Sequence, residues 1–246
     1  MKSPVTATAQ SAPWTQTASG RALPLGRAIE PGGLDIRRDI GLALGNTGRF
    51  ANQTASGVLY SVAQHSCIGA DWIMAQTFDY RLAMAFLIHD APEGPLGDWI
   101  TPVLQAMQEV LDDMRREAGH DIVPRISMKA IKRRLSDPID RYVHAEAGLP
   151  WPLPRDIASF VHLVDRRLLK AEREHLLARP PRAWDDGLEQ VKPLPLKQRI
   201  KPMSPARAAE NWISRFEEWS ARLHADRQAG QGTLMALAMS IREAAE

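Results

Sequence analysis

The chain has 246 residues, with 31 Lys and Arg against 29 Asp and Glu and a net charge of +2. That length can bury a substantial core, and so even a charge balance makes no electrostatic case for a nucleic-acid polymer or an anionic membrane surface. A single cysteine, Cys67, rules out an internal disulfide and a thiolate zinc cluster, and it suits a reducing cytoplasm. No run reaches the roughly 20 apolar residues of a membrane span, and the N-terminal stretch lacks the basic start and apolar centre of a signal. A soluble, cytoplasmic, membrane-free protein is expected.

Residues 1–18, rich in Ser, Thr, Ala and Gln, have few apolar anchors and read as a flexible leader that only Trp14 would tie down. Dense Gly and Pro over Ser19 to Gly33 argue irregular chain, with Ala22-Leu23-Pro24-Leu25 a short edge strand. Asp35 then caps a helix carrying Ile36, Ile40 and Leu44, which Gly45 to Gly48 stop. Ser61 caps a second helix, whose Val62, Ala63, Ile68, Trp72 and Ile73 set His65 near the apolar stripe. Leu82 to Ile88 form a buried helix ending at His89-Asp90, because Pro92 disfavours continuation, and Glu93 falls on the following loop.

Pro102 opens a helix through Val103, Leu104, Met107, Val110, Leu111 and Met114. The next helix, marked by Met128, Ile131, Leu135, Ile139 and Val143, carries Lys129, Lys132, Arg133 and Arg134 on its other face. That charge run reads either as a solvated face or as an attractor for phosphate. A long helix from Arg155 to Leu177 buries Ile157, Phe160, Val161, Val164 and Leu168, with Asp165 bordering the stripe. Residues 179–205 form a Pro-rich connection, the kind of segment that serves as lid, binding loop or clamp. Helices at about 206–227 and 232–245 finish the chain. The fold class is all-α.

A buried helix ending in adjacent His and Asp must find partners for both groups, and a divalent cation serves both. Three helices each bring inward-facing ligand types: His65, then His89 with Asp90, then Asp165. Two imidazoles and two carboxylates leave an octahedral ion two open positions, which suits hydrolysis with Mn, Mg, Co or Fe as the divalent metal.

Tyr60-Ser-Val-Ala-Gln-His65-Ser, His89-Asp90-Ala-Pro-Glu93, Gly97-Asp98-Trp-Ile-Thr101-Pro102 and Val164-Asp165-Arg-Arg-Leu resemble the HD-domain metal-dependent phosphohydrolases. Within them the chain is most similar to the 5'-deoxynucleotidase (YfbR-like) branch and its bacterial and phage relatives. The resemblance spans about residues 19–178 and implies an HD-type helical bundle there, followed by the Pro-rich connector and C-terminal helical extension of 179–246. It further implies that His65, His89, Asp90 and Asp165 bind the metal and that Glu93 is the catalytic acid or orients water. By the same resemblance Asp98 meets the sugar 3'-hydroxyl, while Arg49 and Phe50 contact the phosphate side and wall the nucleotide. Asp98 and Arg49 also have plain alternatives, a cap on the helix near Thr101 and a surface ion pair, and Phe50 has ordinary core. Three departures stand out. Gln64 replaces a frequent Glu, so an amide would orient His65; Pro92 replaces a small residue; Leu104 replaces a frequent Lys, for which Lys129, Lys132 or Arg133 would substitute.

The expected function is hydrolysis of the phosphate ester of deoxynucleotides, chiefly deoxynucleoside 5'-monophosphates. Triphosphate hydrolysis and a non-catalytic nucleotide sensor are the alternatives. The partner is a small-molecule nucleotide, and the chain is expected to form a homodimer.

Overall fold

The computed structural model describes residues 13–119, 126–184 and 187–228. Among them are eight α-helices and one two-stranded hairpin, so the all-α expectation holds. The hairpin pairs β1 (Trp14–Gln16) antiparallel with β2 (Ala22–Pro24), with Thr15 opposite Leu23. Composition assigned Trp14 to Gln16 to the leader, but Trp14 itself is 58% exposed and anchors nothing. The anchor is Asp39, a buried carboxylate that accepts from the backbone N–H and hydroxyl of Ser19 at 2.8 and 2.7 Å. Across the hairpin, Leu23 is fully buried. Residues 1–12 lie outside the described residues.

Asp35 caps the next segment as its side chain predicts, accepting from the Arg38 N–H at 2.9 Å. The segment opens as a π-helical turn, Ile36–Gly41, and continues as α1 (Leu42–Asn46). It ends within the Gly45–Gly48 stretch, as expected, with Thr47 as its C-cap, and Gly45 in its last turn has a second role. A Cβ there would lie 2.6 Å from the Pro205 carbonyl oxygen and 2.7 Å from the Ala209 Cβ, so glycine permits a close crossing of another helix.

Ser61 caps α2 (Val62–Thr77) through the Gln64 N–H, and Asp79 caps α3 (Tyr80–Leu87) through the N–H groups of Arg81 and Leu82. α3 ends at Leu87 with Ile88 as its C-cap, just short of the His89-Asp90 end expected ahead of Pro92. Glu93, however, is not on a loop: the ring of Pro92 presets helical backbone, and Glu93 begins the single turn of α4 (Glu93–Leu96). α5 (Thr101–Glu117) has Pro102 in its first turn. Of its apolar stripe only Leu104 is buried; Val103, Met107, Val110 and Met114 are between 40% and 60% exposed. The helix leans on α6 (Met128–Ala147) and not on the core, and the Gln108 side chain ties the two by accepting from the Met128 N–H at 2.8 Å. α7 (Arg155–Leu176) follows.

The centre of the molecule is the α2–α3 pair, flanked by α7 on one side and by α1 and α8 (Pro205–Gln228) on the other. Trp212 of α8 is fully buried and donates its indole N–H to the Leu87 carbonyl at 2.9 Å, and Trp219 is buried as well. The C-terminal segment thus completes the core. The Pro-rich connection is a strap: Leu188, Leu194 and Ile200 are buried, Leu194 N–H donates to Arg167 O, and Gln64 grips Lys201 O and the Met203 N–H. Among the described residues no helix is long and apolar enough to cross a membrane. The helix expected at 232–245 lies outside them.

α2 and α3 approach closely at Gly69, where a Cβ would lie 2.1 Å from the Phe86 ring. Gly69→Ala is expected to destabilise the protein by about 1–3 kcal/mol through overpacking. In urea titrations this appears as a lower midpoint at unchanged slope.

Candidate metal centre

His65 lies one turn into α2 and is fully buried. Its Nδ1 is 2.6 Å from Glu172 Oε1. His89 follows the end of α3 and has its Nδ1 2.6 Å from the Phe86 carbonyl oxygen. A carbonyl can only accept, and an ionised carboxylate can only accept, so both rings carry the proton on Nδ1. Both Nε2 atoms are then left bare. They are buried and make no hydrogen bond, and the Phe86 ring packs against both imidazoles, with centroids at 5.7 and 4.5 Å.

Two carboxylates face these atoms. Asp165 Oδ1, on α7, stands 3.4 Å from His65 Nε2 and 3.8 Å from His89 Nε2; Asp90 Oδ2 stands 3.7 and 3.2 Å from the same pair. One ligand atom from each of His65, His89 and Asp165 falls within 4.8 Å of the others. Ligands about 2.0–2.2 Å from a common ion stand roughly 3–4.4 Å from one another, so His65, His89 and Asp165 fit a divalent cation, and Asp90 stands within the same range of both imidazoles. The fit is electrostatic too: orphaned imidazole lone pairs beside two carboxylates need positive charge between them. Without an ion, protons take that part. Against the pull of burial, Asp90 and Asp165 hold His89 well above its ordinary value; against the push of burial, His65 and His89 hold Asp165 well below its own.

Arg49 lies beside this group, buried, with Nη1 3.2 Å from Asp90 Oδ2 and Nε 3.4 Å from Glu172 Oε2. It is therefore no surface ion pair. Glu172 is fully buried and also accepts from the Tyr60 hydroxyl at 2.6 Å. The amide of Gln64 does not orient His65; it is turned to the strap, and the carboxylate of Glu172 does that work. Glu172 was not among the candidates from sequence. The available signal was its position about two helical turns beyond Asp165, on the same face of α7. Phe50 is half-buried beneath the Arg49 guanidinium, 5.8 Å away. It opens a turn in which Phe50, Ala51 and Asn52 all have positive φ, the kind of strained backbone that clusters at functional sites.

Glu93 is buried, its Oε1 3.1 Å from Lys132 Nζ and its Oε2 without a hydrogen bond. Lys132 thus leaves the basic face of α6 and turns inward, while Lys129, Arg133 and Arg134 stay exposed. Burial, then Asp90 and Asp98, push Glu93 up to about 8 against Lys132 and Arg49. Asp98 does not cap α5, whose N-cap is Ile100 without a side-chain bond. Its carboxyl is raised by burial and by Asp90, against the charges of Arg49, Lys132 and His65, which places it within the electrostatic reach of the centre. Asp140 on α6 is a further acid that sequence reasoning passed over; burial, Asp137 and Asp90 raise it to about 8, with His89 opposing.

No family model matches the chain. It is 31% identical over 166 residues to an uncharacterized protein of Rhodobacter capsulatus, an alignment covering 66% of this chain and 72% of that protein. The chain belongs to the family of that protein.

Asp165→Ala is expected to weaken binding of Mn by more than about 100-fold, since even outer-shell losses at such centres cost 10- to 100-fold. Calorimetric titration of the metal-stripped protein checks this. Wild-type affinity in the variant would remove Asp165 from the ligand set.

Proposed function

We propose that the chain is an HD-type metal-dependent phosphohydrolase that cleaves the phosphate ester of deoxynucleoside 5'-monophosphates. The observation that supports this reading is the convergence of His65, His89 and Asp165, with Asp90 beside both imidazoles, next to a buried acid, Glu93, that burial pushes up to about 8. A divalent ion (Mn, Co, Mg or Fe) bound by His65, His89, Asp90 and Asp165 would polarise a phosphoryl oxygen and acidify water.

The chain's own residues do the rest. Glu93 keeps a proton on a carboxyl whose Oε2 is uncommitted, the state a general acid needs to protonate a departing ester oxygen. Lys132 holds Oε1 and so aims that proton. Arg49 offers a planar set of donors beside Asp90, suited to phosphoryl oxygens, and Phe50 walls the same side. Asp98, in the loop between α4 and α5, takes the sugar 3'-hydroxyl. Of the five Lys and Arg residues on α6 only Lys132 turns inward, which supports one phosphate over three.

The direct test incubates the metal-stripped protein, with Mn, Co or Mg restored, against ribo- and deoxynucleoside mono-, di- and triphosphates. Nucleoside and free phosphate from deoxymonophosphates are expected; tripolyphosphate from a triphosphate would replace the monophosphate reading. Metal binding with no turnover would leave a sensor.

Glu93→Gln should retain the metal and lower kcat by about 10²- to 10⁴-fold. In the wild type, an acid that must be protonated loses its proton as pH rises. The rate should therefore fall through the Glu93 value, which is about 8 in the metal-free protein and lower once a cation offsets Asp90. A wild-type rate in the variant would sink this role. Asp98→Ala is expected to narrow the ratio of kcat/KM between deoxyribo- and ribonucleotides. An unchanged ratio would take Asp98 out of sugar recognition.

A further inference from the structure

The geometry points to Glu172 as the positioning residue of the metal centre, which fixes the tautomer of His65 and anchors Arg49 beside Asp90. This inference rests on the reading of His65, His89, Asp90 and Asp165 as a metal site, but not on what the site hydrolyses.

Glu172 is fully buried, and a buried carboxylate is costly unless paired. Its partners are unevenly placed. Oε1 receives two short bonds, from the Tyr60 hydroxyl and from His65 Nδ1–H, both at 2.6 Å. Oε2 makes no hydrogen bond of ordinary length and is approached only by Arg49 Nε at 3.4 Å. Packing alone would not call for a buried charge at this position. A carboxylate has no N–H to turn toward the ring and carries a charge, and through these it does two things that a side-chain amide, free to flip, does not. It fixes the proton on His65 Nδ1, so that Nε2 always presents its lone pair toward Asp90 and Asp165, and it makes the imidazole a stronger donor. It also cancels the charge of Arg49, which at 3.2 Å from Asp90 would otherwise oppose a cation at that carboxylate. With Arg49 and Glu172 balanced, the charge left facing the site is that of Asp90 and Asp165, which matches a divalent ion.

The arrangement also leaves Arg49 free at one end. Its Nε is retained by Glu172 while Nη1 lies on Asp90, so a bound oxyanion can take over the Nη contact without releasing the side chain. α7 supplies both the ligand Asp165 and the buttress Glu172, so the spacing between them is that of one helix.

The test is calorimetric titration of Mn into metal-stripped wild type, Glu172→Gln and Tyr60→Phe, with thermal unfolding of each metal-free protein. Glu172→Gln is expected to raise the Mn dissociation constant about 10- to 100-fold. Tyr60→Phe, which removes the other donor to the same oxygen, should lower Tm yet stay within about twofold of wild-type affinity, since His65 keeps its partner. Wild-type affinity in Glu172→Gln overturns the inference. So does a loss of affinity in both variants that tracks their loss of Tm, because that is the signature of packing alone. Should Glu172→Gln not fold, Mg-loaded wild type decides: a downfield, slowly exchanging Nδ1 proton on His65 is expected in ¹⁵N-edited spectra, and its absence overturns the role. Wild type that binds neither Mn nor Mg would fail the metal site itself.

Discussion

Two imidazoles whose Nδ1 protons are already committed point bare Nε2 atoms at two carboxylates inside a helical core. That convergence is the constraint to which the surrounding fold answers. A helical core tolerates such a group only when each polar atom has a partner or a charge to face. His89 is committed by a carbonyl of its own helix end, so the termination of α3 is also the orienting device. His65 lies inside α2, where backbone carbonyls serve the helix ladder, and a second helix brings Glu172 to it. The abrupt stop of α3 and the length of α7 are thus two solutions to one problem.

The remaining elements keep these pieces in place. α2 and α3 approach closely through Gly69, which lets the Phe86 ring reach both imidazoles. α8 seals the opposite side: the Trp212 indole bonds to Leu87 O, directly before the residues that form the centre. The strap binds Gln64, the neighbour of His65, through both ends of its amide, and so the register of α2 is fixed from outside. α5 is different. It contacts the rest of the molecule mainly through α6 and leaves an apolar row open, so it adds little to the rigidity of the site.

Local chemistry made much of this readable in the sequence. Asp35 and Ser61 as caps, Pro102 in a first turn, Pro92 after a helix end, and the inward lean of His65 and Asp165 are all short-range rules, and each held. What could not be read depends on which segment lies opposite. The close crossing at Gly45 shows only once Ala209 is placed against it; Lys132 resembles its solvated neighbours until Glu93 lies beneath it; Gln64 stands beside His65, but the strap takes up its amide and Glu172 of α7 reaches the ring instead. Trp14 to Gln16 looked unanchored because the anchor is a carboxylate, Asp39, held below its ordinary value by the donors of Asp35 and Ser19 against the push of burial. Hydrophobic periodicity carries no record of such a bond.

The acids of the centre separate into two kinds, and the cause is position. Asp90 and Asp165 lie against imidazoles, with Arg49 beside Asp90, and burial fails to keep them protonated; both are pushed below the usual carboxylate range. Glu93 and Asp140 lie one layer out. They feel the same burial but also the negative charge of Asp90, and both rise to about 8. Two carboxylates held ionised and two held protonated, within one buried group, is the division of labour that the proposed acid-assisted hydrolysis at a metal would use. It arises because burial, joined by the charge of Asp90, outweighs the opposing cations, Lys132 and Arg49 at Glu93 and His89 at Asp140. Lys132 tempers this at Glu93 without reversing it, which leaves the acid poised to release its proton when charge develops on an oxygen beside it.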